Sequence, residues 1–152
     1  MALSAEEYMR QALALARESA KEGEVPVGAV IVRRGEIIGR GRNRREGSKN
    51  ALAHAEIEAI NEACRRLGGW RLFDCDLYVT LEPCPMCAGA IISARISRVF
   101  YGAKDPKAGC CGTVVDLFAL PFNHRPVREG GILAQECAEE LSGFFAKLRG
   151  KD

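Results

Sequence analysis

A chain of 152 residues, 47% apolar and 28% charged, has the size and balance of one soluble globular domain built on one core. A formal net charge of +2 excludes a polycation that would seek nucleic acid by bulk electrostatics alone. No apolar run reaches the roughly 18 residues of a membrane span, and MALSAEEYMR lacks the basic start and hydrophobic stretch of a secretory signal, so a cytoplasmic protein with no membrane role is expected.

Ser4, with Glu7 three residues on, predicts the capped start of a helix over 4–22, with Tyr8, Leu13, Leu15, Ala16 and Ala20 on its apolar side and Gly23 as its stop. Pro26 opens VPVGAVIV, an apolar β-branched run suited to a buried strand. Arg33-Arg34-Gly35-Glu36 reads as a hairpin turn and EIIGRGR as its partner strand. A polar loop over 43–50 leads to a helix from about Ala53 to Leu67, ended by Gly68-Gly69. DLYVTL (76–81) is a central strand that runs straight into Glu82-Pro83-Cys84-Pro85. Proline is favourable at the first helical position, where its missing N–H leaves nothing unpaired, so a helix starts at Cys84-Pro85 and continues through CAGAIISAR. Its small residues Ala88, Gly89, Ala90 and Ala94 suit close packing against a sheet or a second subunit. RVFYG (98–102) gives another strand, 113–119 a short helix, a stretch somewhere within 126–133 a last short strand and about 134–148 a closing helix. The order predicts a mixed sheet with helices on both faces, in which sites gather where strands hand over to helices.

Seven cysteines is an odd count, and without a secretory signal a disulfide framework is not expected. Cys84 and Cys87 stand at metal-ligand spacing, whereas Cys64, Cys75, Cys110, Cys111 and Cys137 do not. Zinc takes nitrogen and sulfur donors in a tetrahedron, and a catalytic site supplies three of them and leaves the fourth position to water. His54, Cys84 and Cys87 form such a set. The two thiols, three residues apart, project from one side of a helical first turn, whose positive end favours thiolates. No fourth histidine or cysteine lies within either motif, which points to an open position on the metal.

Glu56 follows His54 by two residues. If the metal sits off the end of the helix, both converge on it from the first turn. There Glu56 can take a proton from bound water, whose pKa the metal lowers to about 7, and return protons to a ring nitrogen and a departing amine. Alone, the Cys-x-x-Cys also fits a redox pair or a fragment of a structural zinc ribbon, and a single histidine is most often a satisfied core group. The joint pattern, His-x-Glu at one helix start and Pro-Cys-x-x-Cys at another with a strand between, favours the catalytic metal.

HAE at 54–56 and PCPMC at 83–87 match the H-x-E…P-C-x-x-C signature of zinc-dependent nucleobase deaminases. Along nearly its whole length the chain resembles the bacterial tRNA-specific adenosine deaminases of the cytidine/deoxycytidylate deaminase superfamily. The similar stretches are EVPVGAVIV (24–32), AHAEIEAI (53–60), WRLFDCDLYVTLEPCPMCAGAI (70–91), VFYGAKDPKAG (99–109), NHR (123–125) and GILAQECAEELSGFF (131–145).

The resemblance implies one zinc-dependent deaminase domain over 1–152, with the α/β/α three-layer sandwich and central mixed five-stranded sheet of the cytidine-deaminase fold. It implies one Zn2+ per subunit, a homodimer, and hydrolysis of adenosine to inosine at the wobble position of a tRNA anticodon, with Glu56 as proton shuttle. By the same resemblance, Asn43 and the backbone near Ala55 meet the flipped base, and Pro83 lies with Cys84 against the metal-bound oxygen. Asp105 and Asn123 line the groove for the anticodon stem-loop, to which Phe144 and Phe145 bring aromatic surface.

Plainer roles fit the same residues. Asn43 can simply shape its loop, and Asp105 before Pro106 can be turn chemistry. Only one of Phe144 and Phe145 can face the core of a single helix, which leaves the other for base stacking worth about 1–3 kcal/mol. Arg40, Arg42, Arg44 and Arg45 are phosphate contacts on the deaminase reading and a solvated rim otherwise. Two other functions stay open: a small-molecule deaminase of guanine, cytosine or adenosine, and a non-catalytic zinc-stabilised RNA-binding module, against which Glu56 argues.

Overall fold

The computed structural model describes residues 3–150; Met1, Ala2, Lys151 and Asp152 lie outside it. Helix α1 (Ala5–Lys21) opens on the expected reciprocal cap. The Ser4 hydroxyl accepts the Glu7 N–H at 3.1 Å while the Glu7 carboxylate accepts the Ser4 N–H at 3.0 Å. Strands β1 (Gly28–Arg33) and β2 (Glu36–Arg42) form a hairpin. Arg34 and Gly35 between them both hold positive φ, at 51° and 81°, as a two-residue hairpin turn matched to strand twist requires.

Then come α2 (Ala55–Leu67), β3 (Cys75–Leu81), α3 (Pro85–Ala94), β4 (Arg98–Ala103), a single 3-10 turn (Leu117–Ala119), the short edge strand β5 (Val127–Glu129) and α4 (Ala134–Arg149). Three boundaries differ from the sequence expectation. α2 starts at Ala55 because His54 keeps an extended backbone (φ −83°, ψ 154°) and caps the helix. α3 stops before Arg95, which turns left-handed at φ 67°. In the stretch 113–119 only Leu117–Ala119 coils, where the Asp116 carboxylate caps the Phe118 N–H.

The strands lie in the order β2-β1-β3-β4-β5. β1 runs antiparallel to β2 and β3, whereas β3–β4 and β4–β5 are parallel. Alternation along β1 sends Ala29 and Ile31 to one face and Val30 and Val32 to the other. The first pair packs with Ala55, Ala59 and Ala63 of α2 and Ala88 and Ile91 of α3. The second packs with Met9, Ala12 and Leu13 of α1 and Cys137 of α4. The result is the expected α/β/α sandwich on a mixed five-stranded sheet.

Gly39 and Gly41 set how deeply α2 sits. A Cβ at Gly41 would fall 2.0 Å from the Ala55 carbonyl oxygen, and one at Gly39 would fall 2.3 Å from that of Ala59. The first turn of α2 therefore rests directly on the β2 backbone. Gly41→Val drives a side chain into that turn; we expect a loss of about 3 kcal/mol or more, seen as a melting temperature lower by about 6–12 °C in a thermal scan. An unchanged melting temperature would show that α2 can lift off the sheet at little cost.

Candidate active site

β3 delivers the chain to Cys84, which caps α3 in an extended conformation (φ −78°, ψ 174°) with Pro85 as the first helical residue. Cys87, one turn on, is fully buried on the same side. α2 packs beside α3, and its cap residue His54 hangs off the helix end toward both thiols. The His54 Nδ1 lies 3.6 Å from the Sγ of Cys84 and 3.6 Å from that of Cys87. All three donor atoms lie within 4.8 Å of one another, and among the described residues no other His, Cys, Asp or Glu joins the group. A tetrahedral zinc centre, with zinc–nitrogen near 2.0–2.1 Å and zinc–sulfur near 2.3 Å, has edges of about 3.6 Å. These residues fit a metal ion with one position free of protein.

The local electrostatics suit the same purpose. The Cys87 thiol beside it holds Cys84 down to about 4 against the opposing effect of burial, and His54 adds to the effect. Cys87 is correspondingly pushed up, by Cys84 first and by burial second. His54 is raised by its hydrogen bond to Cys84, with burial working against it. Glu56, 4% exposed, stands in the first turn of α2. Burial raises its carboxyl to about 7, where proton uptake and release are both accessible near neutral pH.

His54, Glu56, Glu82 and Cys84 line a cavity of about 230 Å³, with Val25, Val27 and Leu81 as apolar lining. Asn43 and Arg45 contribute to the lining from the loop after β2, and Asp105 and Ala108 from the loop after β4. Asn43 both lines the cavity and shapes its loop. Its Nδ2 donates to the Val25 carbonyl at 3.1 Å, its Oδ1 accepts the Arg45 N–H at 3.2 Å, and its own carbonyl accepts the Ser19 hydroxyl at 2.8 Å. Buried Glu24 accepts the N–H groups of Glu46 and Gly47, at 3.0 and 2.6 Å, and ties down the rest of that loop. Asp105 likewise has two roles: its Oδ1 accepts the N–H of Lys107 at 3.0 Å and of Ala108 at 3.3 Å, an Asx turn facing the cavity.

Ala55 also lines the cavity, whereas Pro83, Asn123, Phe144 and Phe145 do not. Pro83 is buried, and its carbonyl accepts the Cys110 N–H at 2.9 Å. Asn123 is exposed on the loop before β5. Phe144 is half-buried and Phe145 is 38% exposed, their rings packed edge to face at 5.4 Å. Cys110 and Cys111 are buried packing residues. Within the arginine-rich stretch, Arg42 pairs with Glu22 and Glu18, and Arg44 pairs with Glu58 at 3.2 Å.

One residue of this region went unrecognised in the sequence. Glu82, only 2% exposed, accepts four hydrogen bonds from the loop after β4. Burial works against its charge, but the bonds from Thr113, Asp105 and Cys111 outweigh burial and hold the carboxylate below its ordinary range. The available signal was its position at the end of β3, directly before Pro83-Cys84.

The MafB19-like deaminase family matches residues 3–149. A tRNA-specific adenosine deaminase of Bacillus subtilis (strain 168) is 50% identical over 145 residues, which is 95% of this chain and 90% of that protein. A structure solved in work on A-to-I editing by deaminases at the wobble position of transfer RNA aligns with a TM-score of 0.86 and 47% identity, over 89% of this chain and 99% of that one. A guanine deaminase from Nitrosomonas europaea aligns with a TM-score of 0.79 at 25% identity, over 96% of this chain and 86% of that one. A deaminase match across nearly the whole chain, joined to half-identity over 95% of it with an adenosine deaminase, means that this chain belongs to the tRNA-specific adenosine deaminase family.

Proposed function

We propose that the protein hydrolyses adenosine to inosine at the wobble position of a tRNA anticodon, with release of ammonia. The observation that carries the chemistry is the three-donor set, spaced at 3.6 Å from His54 Nδ1 to each sulfur, with buried Glu56 in the lining of the same cavity. Family membership carries the substrate. His54, Cys84 and Cys87 would hold one Zn2+ per subunit, which when bound would acidify a water and so make it a nucleophile near neutral pH. Glu56 accepts the proton of the attacking water, then delivers protons to the ring nitrogen and the leaving amine. Its burial keeps the proton from bulk solvent between these transfers.

Asn43 and the backbone at Ala55 hold the flipped base against Glu56, while Asp105 faces the base from the loop after β4. Pro83, next to Cys84 in the chain, would lie with it against the oxygen bound to the metal. Asn123, Phe144 and Phe145 act outside the cavity, on nucleotides that flank the base; the exposed ring of Phe145 is suited to stacking. The working unit is one deaminase domain, paired as a homodimer through surfaces that include the outer side of α3, where space beside Gly89 is open and Ala90 and Ile92 are half-exposed. Such an enzyme works in the cytoplasm, where tRNA is found. Among the described residues no helix is long and apolar enough to cross a membrane.

The deciding assay is ammonia release from the zinc-loaded protein with an adenosine-bearing anticodon stem-loop beside free guanine, cytosine and adenosine. We expect the stem-loop to exceed each small molecule by about 100-fold or more in kcat/KM, the scale that flanking contacts can supply. A ranking led by guanine would move the protein to a small-molecule reading, which the 25% identical guanine deaminase supports.

A further inference from the structure

We infer that Glu82 is a positioning residue that holds the loop after β4 in its substrate-ready form; the kinetic arm of this claim rests on the deaminase reading above. Its Oε1 accepts the Asp105 N–H at 3.1 Å and the Thr113 hydroxyl. Its Oε2 accepts the N–H groups of Cys111 at 2.9 Å and Thr113 at 3.1 Å. A carboxylate has about four acceptor sites, so these donors saturate it. Glu82 is among the cavity-lining residues, but with its acceptor sites taken by these donors it acts there through the loop it holds.

The loop closes directly around this carboxylate. A Cβ at Gly109 would fall 2.4 Å from the Glu82 carboxyl carbon, so only glycine allows the approach. The Cys110 N–H donates to the Pro83 carbonyl at 2.9 Å, which staples the same loop to the residue before Cys84. Among the described residues no Lys or Arg forms an ion pair with Glu82. Its charge is balanced by loop donors alone. Removing that charge orphans several N–H groups at once and releases the segment that carries Asp105 and Ala108 into the cavity lining.

Glu82→Gln turns one oxygen into a donor that faces backbone N–H groups. We expect KM for the anticodon stem-loop to rise about tenfold or more while kcat stays within about threefold, the pattern of lost binding rather than lost chemistry. Zinc content stays as in the wild type. Hydrogen exchange at Asp105, Cys111 and Thr113 speeds up about tenfold or more, with β3 and α2 still protected.

Thr113→Val removes only the hydroxyl donor and raises KM by about threefold, so it decides the matter if Glu82→Gln does not fold. Unchanged KM in the variant that folds overturns the proposal. So does a joint fall of kcat and zinc at constant KM, which would assign Glu82 to the metal segment. If wild-type protein ignores the stem-loop, the functional reading falls alone; exchange, with KM for the molecule it does deaminate, then decides the role of Glu82.

Discussion

Glu56→Gln lowers turnover of the anticodon stem-loop by about a thousandfold or more and leaves the protein folded with its zinc. General acid–base groups contribute about 10²–10⁴ to rate, and in the proposed mechanism one carboxyl serves several proton transfers, so its loss falls toward the upper part of that range. Glutamine preserves shape and hydrogen-bonding reach but cannot carry a proton between water and amine. Stability follows a different rule. Burial already disfavours the charged form of Glu56, so a neutral isostere costs little, and we expect the melting temperature to be nearly unchanged. Ammonia release under single-turnover conditions, with zinc measured by atomic emission on the same sample, checks both halves. Loss of zinc together with loss of folding would make Glu56 a structural residue instead.

The second large effect is metal loss. Cys87 is fully buried against Cys84 and His54, where serine would offer a poor hard donor in place of a thiolate. Cys87→Ser should retain less than about a tenth of the wild-type zinc after dialysis, with activity falling in proportion. Chelation of the wild-type protein should reproduce the phenotype and lower the melting temperature, because an ion bound only by the folded state stabilises it. Cys64→Ser, half-buried on α2 and remote from the donor set, should keep both zinc and activity. Full zinc occupancy in Cys87→Ser would remove Cys87 from the ligand set.

The two loops that contribute to the cavity are held by the same device. Glu24 grips the loop after β2 and Glu82 the loop after β4, each a buried carboxylate that accepts backbone N–H groups. Short irregular segments have few ladder bonds of their own, and a carboxylate that collects several N–H groups supplies them from a single point. These bonds fix the shape of the cavity without help from a ligand, as the proposed positioning of a flipped base demands.

Features that depend on neighbours a few residues away could be read before the chain was folded. The Ser4–Glu7 cap, the alternation of β1, the Arg34-Gly35 turn and the Pro85 helix start are local, and each stands where its pattern puts it. The donor chemistry was legible for the same reason: His-x-Glu and Pro-Cys-x-x-Cys each occupy one helix start. The strand order, the direct seating of α2 on Gly39 and Gly41, and the bonds of Glu82, whose loop partners lie 23 to 31 residues along the chain, emerged from the folded chain alone. The tertiary structure also showed that Asn43 and Asp105 build their loops and line the cavity at once, so shaping a loop does not take either residue away from the cavity. Periodicity and capping report bonds between near neighbours. Glycine contacts and buried carboxylates depend on groups that meet only after the chain has closed on itself.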